Sequence, residues 1–98
     1  MDVSTEAAPV TVVLPVALRS RAGNHSRVMV PSGTVREVIE ALDHDYPGLR
    51  FNLCYETGEL RTFVNIFVNN DHVRYLQGLD TPVPPGATLF VLQSVAGG

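Results

Sequence analysis

Two short apolar runs come first along the chain. β-Branched residues crowd Val10–Leu14, and a second apolar run, His25–Val30, follows a loop at residues 23–24. Short runs rich in β-branched side chains are typical of strands. Pro15 ends the pairing of the first run, because proline has no amide proton to donate to a sheet. Residues 31–33, Pro-Ser-Gly, end the second run. The pattern predicts an N-terminal β-hairpin.

The period then changes to that of an amphipathic helix. Thr34 and Glu37 form a capping box, in which the hydroxyl and the carboxylate each accept from a backbone N–H of the first turn. Pro47 ends the helix, since the residue before a proline is displaced from the α region. Apolar residues recur at spacings of three and four and therefore share a single stripe: Val35, Val38, Ile39, Leu42 and Tyr46. The sequence predicts one helix with one face to bury.

Residues 49–61 show no clear period. After them, apolar positions again alternate with positions that are expected to face outward. A strand is predicted over Thr62–Val68, with valine and isoleucine at its even positions and Phe63, Asn65 and Phe67 at its odd ones. Asn and Asp at residues 69–71 predict a turn, because both tolerate left-handed backbone. We expect a short return strand over His72–Tyr75. A last strand is predicted over residues 88–95, after a turn at 84–86.

The order of elements predicts an α+β fold. Two strands, one helix and three strands give a β-grasp (ubiquitin-like) domain, a mixed sheet of four to five strands with one main helix on one face. This holds if the strand after the helix lies beside the first and the last strand pairs with it. A chain of 98 residues fits one domain. We expect a loose lead-in over 1–9, the domain over 10–94 and an extended tail over 95–98. Element phase predicts a core of Val10, Val12, Leu14, Val35, Val38, Ile39, Leu42, Val64, Ile66, Val68, Leu89 and Val91.

Charge and composition narrow the function classes. The net charge is -3, so the overall field repels phosphate backbones and disfavours nucleic acid as a partner. No apolar run approaches the roughly 18 residues that a membrane span needs. No signal-peptide pattern opens the chain, and a single cysteine has no internal disulfide partner. We therefore expect a cytoplasmic protein without a membrane partner.

Candidate catalytic and metal-ligating residues are sparse. His25, His44 and His72 lack metal-ligand spacing, so no metal or cofactor is expected on this chain. Cys54 would suit a persulfide relay, but no adjacent basic residue favours its thiolate, and we interpret it as a loop or core filler. No nucleophile, base and orienting group stand at usable spacing. The sequence disfavours an enzyme.

The chain ends in two glycines, Gly97 and Gly98. Glycine has no Cβ, so a tail that ends this way fits a narrow tunnel and leaves its terminal carbonyl open. An α-carboxyl group is ionised at neutral pH, as its ordinary pKa is about 3.3 to 3.7, and a carboxylate resists nucleophiles. A partner enzyme must first activate it, most simply as an acyl-adenylate made from ATP. A sulfur nucleophile would then give a thiocarboxylate, and a nitrogen nucleophile an amide conjugate.

Several motifs resemble those of one known family. The segment Phe63–Asn69, the Val73–Tyr75 triplet, Gly78 with Leu79, and the ending Val95-Ala96-Gly97-Gly98 are similar to the ThiS/MoaD superfamily of sulfur carriers, above all its CysO-type branch. The resemblance implies that an E1-like adenylyltransferase and sulfurtransferase activates Gly98 with ATP, in some cases with a rhodanese-type sulfur donor. It also implies that the thiocarboxylate passes sulfur to a biosynthetic synthase. Cysteine, thiamin, molybdopterin and a sulfur-containing metabolite all remain open as end products.

A partner-binding surface is predicted beside the tail. The aromatic side chains of Phe63, Phe67 and Phe90 are expected to face away from the helix together with Leu92, at a position where MoaD-type carriers place a large apolar contact. Arg74 is a candidate for pairing with an acidic groove. Three functions stay open: a sulfur carrier, a ubiquitin-like modifier conjugated through Gly98 to target amines, and a non-catalytic interaction module.

Overall fold

The computed structural model describes residues 8–94, and its main sheet has five strands. The strands are β1 (Val10–Val13), β2 (Arg27–Val30), β4 (Val64–Val68), β5 (Asp71–His72) and β7 (Thr88–Gln93), in the order β2-β1-β7-β4-β5. A separate two-stranded pair joins β3 (Gly33–Thr34) to β6 (Pro82–Val83). The helices are α1 (Val16–Arg19), α2 (Val35–Asp45) and α3 (Leu49–Leu53). Single 3₁₀ turns lie at Ser20–Ala22, Val73–Tyr75 and Gly78–Asp80.

The last strand, β7, lies in the middle of the sheet. It runs parallel to β1 and antiparallel to β4, while β1 and β2 form the predicted antiparallel hairpin. The expected arrangement is corrected here, because β7 and not the strand after the helix lies beside β1. The mixed sheet with one main helix confirms the α+β β-grasp prediction.

Helix α2 begins as predicted. The Thr34 hydroxyl accepts from the Glu37 amide at 3.2 Å, and the Glu37 carboxylate accepts from the Thr34 amide at 2.9 Å. The helix ends at Asp45, with Tyr46 as its C-cap residue directly before Pro47. The helix stripe packs on the inner face of the sheet, and every predicted core residue is buried. The core also contains residues that were not predicted: Leu18, Ala22, Val28, Val30, Leu49, Leu53, Cys54, Val73, Val83 and Ala87.

Four boundaries differ from the predictions, one of them the end of the last strand, which lies at Gln93 and not at residue 95. Val73–Tyr75 forms a 3₁₀ turn instead of extending a strand, since the imidazole of His72 caps the Arg74 amide and turns the backbone. Residues 62 and 63 form a turn, so β4 starts at Val64. The second strand starts at Arg27 and not at His25, because α1 and a 3₁₀ turn occupy most of the preceding connection.

Candidate functional site

The side of the sheet opposite α2 carries an apolar patch. Alternation turns Phe67, Phe90 and Leu92 outward, and Phe67 and Phe90 are directly paired across β4 and β7. Leu92 is 47% exposed. Met29, on β2, is a further exposed apolar side chain of this side. We call this surface the outer face; its members are Thr11, Val13, Arg27, Met29, Asn65, Phe67, His72, Thr88, Phe90 and Leu92.

Two other predicted partner residues lie at the margin of the outer face. Phe63 is exposed in the turn before β4, and its carbonyl accepts from the Ser94 amide at 2.8 Å. Arg74 is exposed on the 3₁₀ turn that follows β5. Within residues 8–94 its guanidinium makes no ion pair, and its pairing with an acidic groove stays a prediction. The backbone of Phe63 is therefore bonded to the residue after β7, beside the outer face, and Arg74 lies two residues beyond the end of β5.

The outer face lies next to the point where the tail begins. Ser94 is the last described residue, and its bond to Phe63 continues the β4–β7 ladder past Gln93. The predicted tail residues Val95, Ala96, Gly97 and Gly98 lie outside the described residues. Because β7 is paired on both sides, the tail is attached to the central strand of the sheet.

A polar chain that sequence analysis missed crosses this apolar patch. The Asn65 side-chain amide donates to Ser94 Oγ at 2.8 Å, and His72 Nε2 lies 3.0 Å from Asn65 Oδ1. The Arg74 backbone N–H donates to His72 Nδ1 at 3.0 Å. Burial lowers the pKa of His72 below its ordinary value of 6.5, and the charge of Arg74 lowers it further. The alternation in the sequence already gave Asn65 an outward position. The return strand that presents His72 was predicted to begin at His72, one residue after the observed start of β5 at Asp71.

Cys54 lies on the other side of the molecule, at the end of α3. It is buried beside a cavity of about 270 Å³ whose lining includes Arg36, Arg50 and Glu56. Burial raises the pKa of the Cys54 thiol, and this effect outweighs the opposing charges of Arg50, Arg36 and Arg61. The thiol is therefore held in its protonated form, and the prediction of a core filler is confirmed.

Residues 8–94 contain no group of three or more His, Cys, Asp or Glu side chains placed to hold a metal ion. None of the helices in that range has the length and apolar character to cross a bilayer.

Comparison with known proteins assigns the chain to a family. The model of the ThiS family matches residues 12–98, a range that includes the diglycine. Sulfur carrier protein CysO of Mycobacterium tuberculosis is 37% identical over 91 residues, which cover 91% of this chain and 98% of the relative. The crystal structure of that protein superposes with a TM-score of 0.83 at 35% identity, over 88% of this chain and 99% of the other.

Two further solved structures bear on function. The matched chain in the crystal structure of the Amycolatopsis orientalis BexX/CysO complex superposes with a TM-score of 0.85 at 37% identity, over 91% of this chain and 99% of the matched one. Small archaeal modifier protein 1 of Methanosarcina acetivorans gives 0.77 at 30% identity, over 94% and 98%.

Proposed function

The chain belongs to the ThiS family and is a sulfur carrier protein, and from this we propose that Gly98 is the residue that carries the sulfur. The observation that supports the proposal is the extent of the family match, which runs to residue 98 and so includes both terminal glycines. In this proposal the protein is a cosubstrate of partner enzymes. Its own contribution is a reactive carboxylate on a folded domain that partners recognise.

The proposed reaction has two steps. A carboxylate oxygen of Gly98 attacks the α-phosphate of ATP, pyrophosphate leaves, and an acyl-adenylate forms. Hydrosulfide then attacks the acyl carbon, a C–S bond forms, the C–O bond to AMP breaks, and the thiocarboxylate remains. A persulfide from a rhodanese-type donor would instead give an acyl disulfide, which a thiol reduces to the same product.

The partners follow from this chemistry. In this proposal an E1-like adenylyltransferase supplies the nucleotide site, as the resemblance to the family implies, and a synthase accepts the sulfur. The Amycolatopsis structure is a complex of a CysO chain with BexX, which supports a carrier that acts by docking to an enzyme. ATP consumption places the proposed reaction in the cytoplasm.

The outer face is the proposed docking surface. Phe67, Phe90 and Leu92 present apolar area beside Ser94, so a partner that covers them also receives the tail. Exposed contiguous apolar area of this kind marks interaction sites on small proteins. We assign Phe63 and Arg74 to the margin of the same contact.

The test is intact-mass analysis of the carrier after incubation with its E1-like enzyme, ATP and sulfide. We expect the wild-type chain to gain the mass of one sulfur in place of one oxygen. A variant that lacks Gly98 should gain nothing, because its carboxylate is withdrawn by about 3.5 Å and a 1 Å error alone costs roughly a hundredfold in rate. Thermal unfolding of the two proteins should coincide, since a terminal residue contributes no side-chain burial. Sulfur transfer to the truncated chain would contradict the proposal.

Conjugation to amines is the second candidate function. It is favoured by the match to small archaeal modifier protein 1, whose name describes a modifier. In the same assay, with a cell extract in place of sulfide, a modifier would appear in higher-mass adducts at lysines of other proteins. This chain contains no lysine, so it cannot form isopeptide-linked chains through its own side chains.

A further inference from the structure

The polar chain on the outer face has a fixed direction. The Arg74 backbone N–H donates to His72 Nδ1, so that nitrogen carries no proton in the bonded state. The ring proton therefore sits on Nε2 and is donated to Asn65 Oδ1. This leaves the Asn65 NH₂ group to donate to Ser94 Oγ. One backbone amide thus sets the orientation of two side chains in succession.

The surroundings of His72 support its neutral form. Its ring lies 4.7 Å from the Phe67 ring and 5.8 Å from the Tyr75 ring, which restricts both its rotation and its contact with water. Burial and the charge of Arg74 lower its pKa. Protonation of Nδ1 would place two donors against each other and break the bond to the Arg74 amide. At neutral pH the chain of bonds is therefore maintained.

Ser94 is held at two points by this arrangement. Its backbone N–H donates to Phe63, and its hydroxyl oxygen accepts from Asn65. Gly98 is four residues further along, so an extended tail reaches about 14 Å at roughly 3.5 Å per residue. A change of about 10° in direction at Ser94 would displace the end by roughly 2.5 Å, well beyond the 1 Å that costs about a hundredfold in rate.

We infer that Asn65 and His72 are positioning residues for the tail: their hydrogen-bonded relay fixes the direction in which the chain leaves the sheet at Ser94. The inference rests on the proposed function, in which Gly98 must reach a partner's nucleotide. It also explains why polar side chains lie within an apolar docking surface. Each bond of the relay pairs one donor with one acceptor, so the groups that it joins keep their partners when another protein covers them.

The kinetic test uses Asn65→Leu and His72→Phe, which keep approximate size and remove the bonds. Adenylation by the E1-like enzyme at saturating carrier should lose about tenfold to a hundredfold in kcat, a loss that a change in docking affinity alone would not produce. The double variant should lose no more than either single one, since both act through one relay. Matched controls are Asn52→Leu on α3 and the exposed His44→Phe, which should behave as wild type.

A second readout does not depend on activity. NMR should show the Nε2–H tautomer of His72 in the wild type, and the residual dipolar couplings of the Val95 and Ala96 amides should shrink in Asn65→Leu but not in Asn52→Leu. Multiplicative losses in the double variant, or unchanged couplings, would overturn the inference. If the wild type itself is not adenylated, the proposed function fails, and the couplings alone then decide whether the relay orients the tail.

Discussion

Replacing Leu92 by aspartate tests whether the outer face docks the activating enzyme. Leu92 is 47% exposed and faces away from the core on β7. Full burial of a leucine side chain is worth about 1.5 to 3 kcal/mol, so covering its exposed half contributes about 0.7 to 1.4 kcal/mol to docking. A carboxylate at that position lacks this favourable burial energy and must also be desolvated without a positive group to compensate its charge. The total is about 2 to 4 kcal/mol, or roughly 30-fold to 1000-fold in Kd.

The control for this variant is Phe51→Asp. Phe51 is 50% exposed, close to the value for Leu92, and lies on α3, away from the outer face. Each substitution introduces one negative charge at a half-exposed apolar position. The free energy of unfolding should fall by about 1 kcal/mol or less in both, because neither residue belongs to the core.

The assay is titration calorimetry of each variant with the E1-like enzyme, together with the KM for the carrier in adenylation. We expect Leu92→Asp to raise both quantities and Phe51→Asp to leave them near the wild-type values. Wild-type binding by Leu92→Asp would refute the reasoning, because Leu92 would then lie outside the contact. An equal loss in both variants would also refute it, because the added negative charge alone would then explain the result.

The remaining predictions concern the core, the tail and His72. Ile66→Ala removes three carbons from a fully buried site and should cost about 2 to 5 kcal/mol, a fall of roughly 10 to 30 °C in Tm by calorimetry. Gly97→Val should block sulfur loading in the mass assay and leave Tm unchanged; loading at the normal rate would contradict a narrow tunnel. Because the pKa of His72 is lowered from 6.5 in the folded state, the unfolded chain binds a proton at His72 more readily. The contribution of His72 to stability is therefore complete above pH 6.5 and declines as the pH falls below that value. His72→Gln should lack this decline in denaturant titrations, and an equal decline would refute the assignment.

The sequence predicted those parts of the fold that depend on local periodicity. The capping box at Thr34 and the alternation through Ile66 each involve neighbours along the chain, and both are confirmed. The position of β7 between β1 and β4 depends on pairing between residues about 75 and 25 positions apart, which no local pattern encodes. Short elements such as α1 and α3 were missed because four or five residues complete too little of a helical period to be recognised.

The residues of the candidate site likewise fall into those that local periodicity predicts and those that it does not. The outward phase of Phe67, Phe90 and Leu92 follows from alternation within each strand and is confirmed. The relay was beyond prediction, because it joins side chains on β4 and β5 to the residue that follows β7, and its direction depends on a backbone amide at Arg74. The segment 72–75 was predicted as one strand, whereas β5 covers Asp71–His72 and the cap formed by His72 turns the backbone directly after it.

The central position of β7 in the sheet fixes the place where the tail begins. A strand at a sheet edge can peel back a few residues and lengthen the segment beyond it, but β7 pairs with β1 over Thr88–Phe90 and with β4 over Leu89–Gln93, so withdrawal as far as Phe90 breaks two ladders at once. The amides of Leu89 and Phe90 should therefore exchange with solvent only when the whole domain opens. The doubly paired stretch therefore fixes the point on the sheet from which the length of the tail is counted. In the proposed function, every enzyme that uses this carrier must place its chemistry within that one tail length of its docking surface.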